Sequence, residues 1–223
     1  MPLRKIASDA DIREGLAALT RACPHLARVH ALPGDPPLRA RPKGFEGLAR
    51  VIVGQQLSIA SANAIWTRLR PAVRPFAPER LLAMPEGALK DVGLSRVKIA
   101  TLQRLATAAA SGVLNIGALG RASDEVIHAR LTAIKGIGPW TADIYILFSL
   151  ARADAWSLGD VALQYAVKDA LGLDERPSLV QMTEIAEIWR PWRSVVARLL
   201  WSYYSLNRRN TASLARLSPS GDK

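Results

Sequence analysis

Apolar residues recur at intervals of three and four along most of the chain, which is the spacing of α-helices that bury one face. In residues 123–136, Val126, Ile127, Leu131 and Ile134 share one face, and Ser123 stands at the N-cap position. No segment shows the sustained alternation of a convincing strand, and no repeat is visible. We therefore predict an all-α fold of about ten helices with short connections.

Interruptions of this pattern predict where the helices end. Residues 8–22 form a helix that stops before Pro24, and the Pro- and Gly-rich residues 32–44 form a loop. Residues 45–69 predict two helices joined by a polar corner at Gln55 to Ser58. Residues 78–112 predict two short helices and a longer one.

The sequence "IKGIGPWTADI", residues 134–144, breaks a helix and resumes it at once. Gly136 and Gly138 permit positive φ and close backbone approach, Ile137 can point into the core, and Pro139 suits the first turn of a new helix. The free N–H groups of such a turn can hold a phosphate. An ordinary turn between two helices fits the same residues. A dinucleotide-binding turn does not fit, because a helix precedes it and Thr141 replaces the third glycine.

The amino-acid composition indicates which class of molecule the protein binds. Thirty Lys and Arg against nineteen Asp and Glu give a formal charge of +11, which favours a polyanion and above all nucleic acid. A single cysteine, Cys23, excludes an internal disulfide and a four-thiolate iron-sulfur cluster, and the three histidines lack ligand spacing. The charged N-terminus and the lack of long apolar runs predict an intracellular protein that does not span a membrane.

Four stretches of the chain together resemble the helix-hairpin-helix DNA glycosylase superfamily, and in particular its DNA-3-methyladenine glycosylase II branch. They lie within residues 45–206 and read "ARVIVGQQLSIASANAIWTRL" (49–69), "LTAIKGIGPWTADIYILFSL" (131–150), "WSLGDVALQYAVKDALGL" (156–173) and "WRPWRSVVARLLWSYY" (189–204).

The resemblance implies two helical lobes with DNA and a flipped base in the cleft between them. One lobe would span residues 47–152 and end in the hairpin; the other would combine residues 1–46 and 153–223. The family's catalytic aspartate falls on Asp160, beside the hairpin. The resemblance also implies a monomer that acts on double-stranded DNA containing a damaged base, with no required cofactor and with a possible monovalent cation on hairpin carbonyls.

The chemistry implied for Asp160 is stabilisation of the positive charge that builds on the sugar as the base leaves, and orientation or deprotonation of the attacking water. An alkylated purine is already cationic, so its departure needs no second acid. Asp160 also suits the N-cap of the helix that follows, and one residue can serve both roles. Trp140 stands where bifunctional relatives carry a lysine, so we expect base excision without strand cleavage through a Schiff base.

Aromatic residues attract cationic bases, which makes them candidates for the base pocket, although core packing is an equally good interpretation for tryptophan. The candidates are Trp140, Trp201, Tyr145 and Tyr203. Ile144 stands where certain relatives place a pocket aromatic.

Gln56 corresponds to the residue that fills the gap left by the flipped nucleotide, although Gln55, Gln56 and Ser58 can also be polar caps. Arg96 and Lys98 offer a second phosphate contact or simply surface charge. The full set expected to contact DNA is Lys135, Gly136, Ile137, Gly138, Thr141, Gln55, Gln56, Ser58, Arg96 and Lys98.

The sequence thus predicts a monofunctional glycosylase for alkylated purines. The alternatives are a glycosylase for a deaminated or oxidised base, and a DNA-binding protein that kept the hairpin without its chemistry.

Overall fold

The computed structural model describes residues 4–217, with side chains described for residues 4–209. Residues 1–3 and 218–223, which the sequence assigns to the second lobe, lie outside this range. Within it the chain forms thirteen α-helices and one short π-helical turn at Tyr145–Ser149. The α-helices are α1 Asp9–Ala22, α2 Pro24–His30, α3 Gly44–Gly54, α4 Ile59–Ala72, α5 Pro78–Leu82, α6 Glu86–Asp91, α7 Arg96–Ala110, α8 Ile116–Leu119, α9 Asp124–Thr132, α10 Pro139–Ile144, α11 Val161–Leu171, α12 Leu179–Glu187 and α13 Arg193–Leu217.

The all-α prediction is confirmed, since the described residues contain no strand beyond an isolated bridge between Lys5 and Arg152. The corner in residues 45–69 and the three helices of residues 78–112 are present as expected. The helix α2 was not predicted. Pro24, read only as a stop signal, occupies the first turn of α2, where its missing N–H costs nothing.

The contacts divide the described residues into two compact units, one made of residues 4–39 and 152–217 and the other of residues 40–151. The sequence placed these divisions at 46/47 and 152/153, so the first differs by several residues. Among the described residues, no helix is long and apolar enough to cross a membrane.

The first unit is built on α13, against which α1, α2 and α11 pack. Its core includes Leu16, Leu26, Leu163 and Val196, all of which are buried. Its α1 approaches the start of α13 so closely that a Cβ at Gly15 would lie 2.8 Å from both Trp192 and Val195.

The second unit is built around α3, which packs against α4, α7, α10 and the π-helical turn. Leu48, Ile52, Leu102 and Ile127 are fully buried in its core. α9 packs against α10, and the chain between these two helices is the Gly- and Pro-containing segment singled out in the sequence.

Candidate functional site

The turn between α9 and α10 is a helix-hairpin-helix whose shape depends on Gly136. This residue has φ +102, and a Cβ there would lie 2.1 Å from Oγ1 of Thr101 on α7. Ile137 is 3% exposed and points into the core, and Pro139 occupies the first turn of α10. The predicted close approach at Gly136 is confirmed.

Gly138 differs from expectation. Its φ is −97 and its ψ is 176, which is extended backbone that any residue adopts, and a Cβ there would meet no atom within 4 Å. The positive φ and the close backbone approach that glycine permits at position 138 are therefore not used. As the N-cap of α10, Gly138 leaves the start of that helix without a covering side chain.

The hairpin residues expected to face DNA differ in exposure. Lys135 and Gly136 are exposed, whereas Thr141 is buried. The backbone N–H of Thr141 donates to the carbonyl of Gly138 at 3.0 Å, and its Oγ1 accepts from Nε2 of Gln55 at 2.8 Å. These contacts do not support the expected DNA contact by Thr141, which holds the hairpin to the rest of its unit.

The polar corner between α3 and α4 is a tight turn. Gln55 has φ −54 and ψ 129, Gln56 has φ +54, and the N–H of Leu57 donates to the carbonyl of Gly54 at 3.3 Å, which is the backbone of a type II turn. Gln56 is exposed at the position that type II turns usually reserve for glycine. Ser58 is the N-cap of α4, as the capping interpretation predicted, and accepts from the N–H of Ser61.

Lys98 is not on the surface. Its side chain is buried and its Nζ donates to the carbonyl of Val53 at 2.8 Å, near the end of α3. Burial also lowers the pKa of Lys98. The prediction of Lys98 as a phosphate contact is therefore wrong, because its charge is used on a helix C-terminus. Arg96, two residues earlier at the start of α7, is exposed and stays a candidate.

A concavity of about 420 Å³ beside the hairpin carries positive charge. Arg104, Arg130 and Lys135 line it, together with apolar residues that include Val113. Nη1 of Arg104 donates to the carbonyl of Lys135 at 3.3 Å, which joins α7 to the hairpin. Arg104 and Arg130 were not identified from the sequence, because only the fold places them beside Lys135.

An ion pair joins the two helices of the hairpin. Nε2 of His128 on α9 lies 2.6 Å from Oδ1 of Asp143 on α10. The hydrogen bond to Asp143 raises the pKa of His128, despite the opposing effect of burial. The spacing of these two residues in the sequence gave no signal of the pair.

In the first unit, Asp160 is held from two directions. It is the N-cap of α11, and its Oδ1 accepts from the N–H of Leu163 at 2.9 Å and from Nε1 of Trp201 on α13 at 3.1 Å. Asp160 is 9% exposed, whereas Trp201 is half-buried. The capping role is confirmed, and the structure brings together the predicted catalytic residue and one predicted pocket aromatic.

The other predicted aromatics have different surroundings. Tyr145 is 1% exposed and its hydroxyl accepts from the N–H of Gly44, while burial raises its pKa. It is a core residue of the second unit, which corrects its assignment to a base pocket. Trp140 and Tyr203 are half-buried and stay candidates. A stack of the exposed Tyr165 on the half-buried Tyr204, with ring centroids 6.4 Å apart, was not predicted.

The turn of Gln56, the hairpin and Asp160 all lie in a part of the chain that is similar to a known protein family. Residues 49–191 match the model of the HhH-GPD superfamily of base excision DNA repair proteins. The chain belongs to this superfamily. The matched range contains the turn of Gln56, the hairpin and Asp160, while Trp201 lies beyond it.

Three similar proteins or structures of the superfamily each match 70% or more of this chain. DNA-3-methyladenine glycosylase 1 of Schizosaccharomyces pombe is 32% identical over 161 residues, which is 70% of this chain and 71% of that protein. A structure of the 3-methyladenine DNA glycosylase of the same yeast, in complex with abasic DNA, has a TM-score of 0.77 at 30% identity and covers 84% of this chain and 95% of its own. The DNA-3-methyladenine glycosidase of Bacillus halodurans has a TM-score of 0.71 at 31% identity, with 94% of this chain and 95% of its own covered.

Proposed function

We propose that the protein is a monofunctional DNA glycosylase that removes alkylated purines such as 3-methyladenine from double-stranded DNA, inside the cell and as a monomer. Superfamily membership and the names of its relatives support this activity. The observation that carries the proposal is the fixed carboxylate of Asp160, which two N–H donors orient at the start of a helix.

Asp160 acts on the sugar in this proposal. As the bond between base and sugar stretches, the sugar becomes cationic, and a nearby carboxylate stabilises that transition state more than the ground state. Because Oδ1 of Asp160 already accepts from the Leu163 N–H and the Trp201 indole, the carboxylate is held in orientation before the reaction begins. The carboxylate also orients or deprotonates the water that attacks the sugar.

The base leaves without a protonating acid because it is already cationic. Aromatic faces attract such a base by about 0.5 to 2 kcal/mol. The remaining candidates for the base pocket, after Tyr145 is assigned to the core, are Trp201, Trp140 and Tyr203. Trp140 occupies the position at which bifunctional relatives carry a lysine, so the reaction is hydrolysis and forms no Schiff base.

DNA is held through its backbone. The exposed hairpin around Gly136 offers backbone N–H groups to a phosphate, and the cationic side chains of Arg104, Arg130 and Lys135 surround the neighbouring concavity. A monovalent cation on hairpin carbonyls stays a prediction, and no step of this mechanism depends on it. The carbonyls of Lys135 and Gly136 already accept from Arg104 and Gln55.

Release of a free base is the direct test. The protein is incubated with duplexes that each carry one lesion: an alkylated purine, a deaminated base or an oxidised base. The released base is then identified by mass spectrometry. We expect 3-methyladenine or 7-methylguanine to appear, with the DNA strand left uncut until alkali is added. Release of only a neutral base would favour the alternative lesion class, and binding without any release would favour the non-catalytic alternative.

A further inference from the structure

The turn that presents Gln56 is conformationally costly. A residue other than glycine with φ +54 loses about 1–2 kcal/mol relative to right-handed backbone, and glycine would avoid this cost. Strain of this kind persists only where neighbouring contacts fix the backbone. The neighbours of Gln56 therefore show what holds the turn.

Both helices that flank the turn are fastened at the point where they meet it. Nζ of Lys98 donates to the Val53 carbonyl at the end of α3, and the hydroxyl of Ser58 caps the start of α4. These contacts fix the entry and the exit of the turn. They do not fix its position relative to the hairpin.

That third connection is made by Gln55. Its side-chain amide Nε2 donates to the carbonyl of Gly136 at 3.1 Å and to Oγ1 of Thr141 at 2.8 Å. Gln55 thus bonds to both sides of the hairpin loop, while its own backbone forms the first central position of the turn. Any displacement of the hairpin relative to the turn breaks one of these bonds.

We propose that Gln55 is a positioning residue that couples the hairpin to the turn, so that a phosphate held by the hairpin places the side chain of Gln56 at the base stack. This inference rests on the proposed function. In this inference Gln55 acts through Gln56, and not by its own contact with the damaged base or the sugar. Its amide is required as a donor, because the carbonyl of Gly136 can only accept and the hydroxyl of Thr141 accepts from the same Nε2.

Replacement of Gln55 by methionine tests the coupling, because Met keeps the length of the side chain and removes the donor. Gln103→Met is the matched control, a half-buried glutamine of α7 in the same unit. The first measurement is the fluorescence of 2-aminopurine placed next to a tetrahydrofuran abasic analogue, which no glycosylase can excise. We expect the fluorescence change at saturating protein to fall at least severalfold in Gln55→Met, while affinity for undamaged duplex changes less than twofold.

Single-turnover excision of 7-methylguanine is the second measurement. On duplex DNA, Gln55→Met is expected to be about tenfold slower than wild type. When the lesion lies opposite an abasic site, no partner base has to be separated from it, so insertion of the Gln56 side chain is no longer needed and the rate is expected to be close to wild type. Gln55→Glu, which turns the donor to the Gly136 carbonyl into a second acceptor facing it, is expected to be slower still on duplex DNA.

Equal loss of excision on both substrates, or an unchanged fluorescence response in Gln55→Met, would overturn the inference. A wild-type protein that gives no fluorescence change would also overturn it, since no inserted side chain would exist for Gln55 to position. A wild-type protein that changes the fluorescence yet releases no alkylated base would instead overturn the proposed function and leave the coupling intact.

Discussion

The indole Nε1 of Trp201 donates a hydrogen bond to Oδ1 of Asp160 across 3.1 Å. The same oxygen receives the backbone N–H of Leu163, so groups from two helices of one unit converge on it. Trp201 therefore has a role beyond the aromatic face that the sequence suggested, because it also fixes the orientation of the carboxylate.

Trp201→Phe separates these two roles, since it keeps an aromatic face and removes the indole donor. We expect the single-turnover rate of 3-methyladenine excision to fall about tenfold, which corresponds to the loss of one hydrogen bond to a charged group. Tyr204→Phe, three residues later on α13, is the control and should retain the wild-type rate. An unchanged rate in Trp201→Phe would show that the hydrogen bond to Asp160 is not needed for catalysis.

The two hairpin glycines are expected to respond differently to alanine. Gly136→Ala forces positive φ on a residue with a Cβ and brings that Cβ against Thr101, which we expect to destabilise the protein by about 2–4 kcal/mol. Denaturant unfolding measures this loss, and a second substitution, Thr101→Ala, should restore part of it by removing the clash. Complete restoration would mean that positive φ at position 136 costs nothing.

Gly138→Ala is expected to leave the free energy of unfolding within about 0.5 kcal/mol of wild type, because its φ is ordinary and no atom lies near the new Cβ. Affinity for duplex DNA should nevertheless fall, since the Cβ covers the start of α10 where a phosphate would approach. Fluorescence anisotropy with labelled duplex measures the affinity. Wild-type affinity in Gly138→Ala would argue against a phosphate at this position.

Salt dependence tests the cationic concavity. The double variant Arg130→Ala/Lys135→Ala should lower DNA affinity and reduce the slope of log K against log salt by about one to two, if each side chain neutralises a phosphate. Arg13→Ala/Arg21→Ala removes the same charge from exposed positions of α1 and should keep the wild-type slope. Equal slopes of log K against log salt in the two double variants would mean that the DNA phosphates do not bind at Arg130 and Lys135.

The pair of His128 and Asp143 predicts a pH dependence of hairpin stability. The hydrogen bond to Asp143 raises the pKa of His128 above its ordinary value of 6.5, so the stabilisation is full below that value and is lost as pH rises through the raised pKa. His128→Asn should therefore destabilise the protein by about 0.5–1 kcal/mol near pH 6 and by less near pH 9, since the pair is partly exposed to solvent. Denaturant unfolding at both values checks this, and a constant difference would contradict it.

Local signals in the sequence predicted the features that depend on local chemistry. Ser123 and Asp160 cap helices as their positions indicated, and Ile137 enters the core between two glycines. Contacts between distant segments carry no such signal. The sequence predicts Lys98 as a surface charge, whereas in the structure its Nζ donates to the carbonyl of Val53. The sequence predicts Tyr145 as an aromatic residue of the base pocket, whereas in the structure it lies in the core.

The turn at Gln56 shows the same limit. A glycine in that position would have marked a type II turn, whereas glutamine gave no indication of positive φ. The function of the corner was implied by resemblance, while its geometry and its attachment to the hairpin through Gln55 required coordinates.

The most direct measurement of the central claim is the rate of 3-methyladenine release by Asp160→Asn. Asparagine keeps the side-chain oxygen that accepts from Leu163 and Trp201, so the variant should fold and bind duplex DNA with wild-type affinity. Without the negative charge it cannot stabilise the cationic sugar, and we expect single-turnover release to fall by at least about a hundredfold. Release at the wild-type rate by a folded, DNA-binding Asp160→Asn protein would contradict the catalytic role of Asp160.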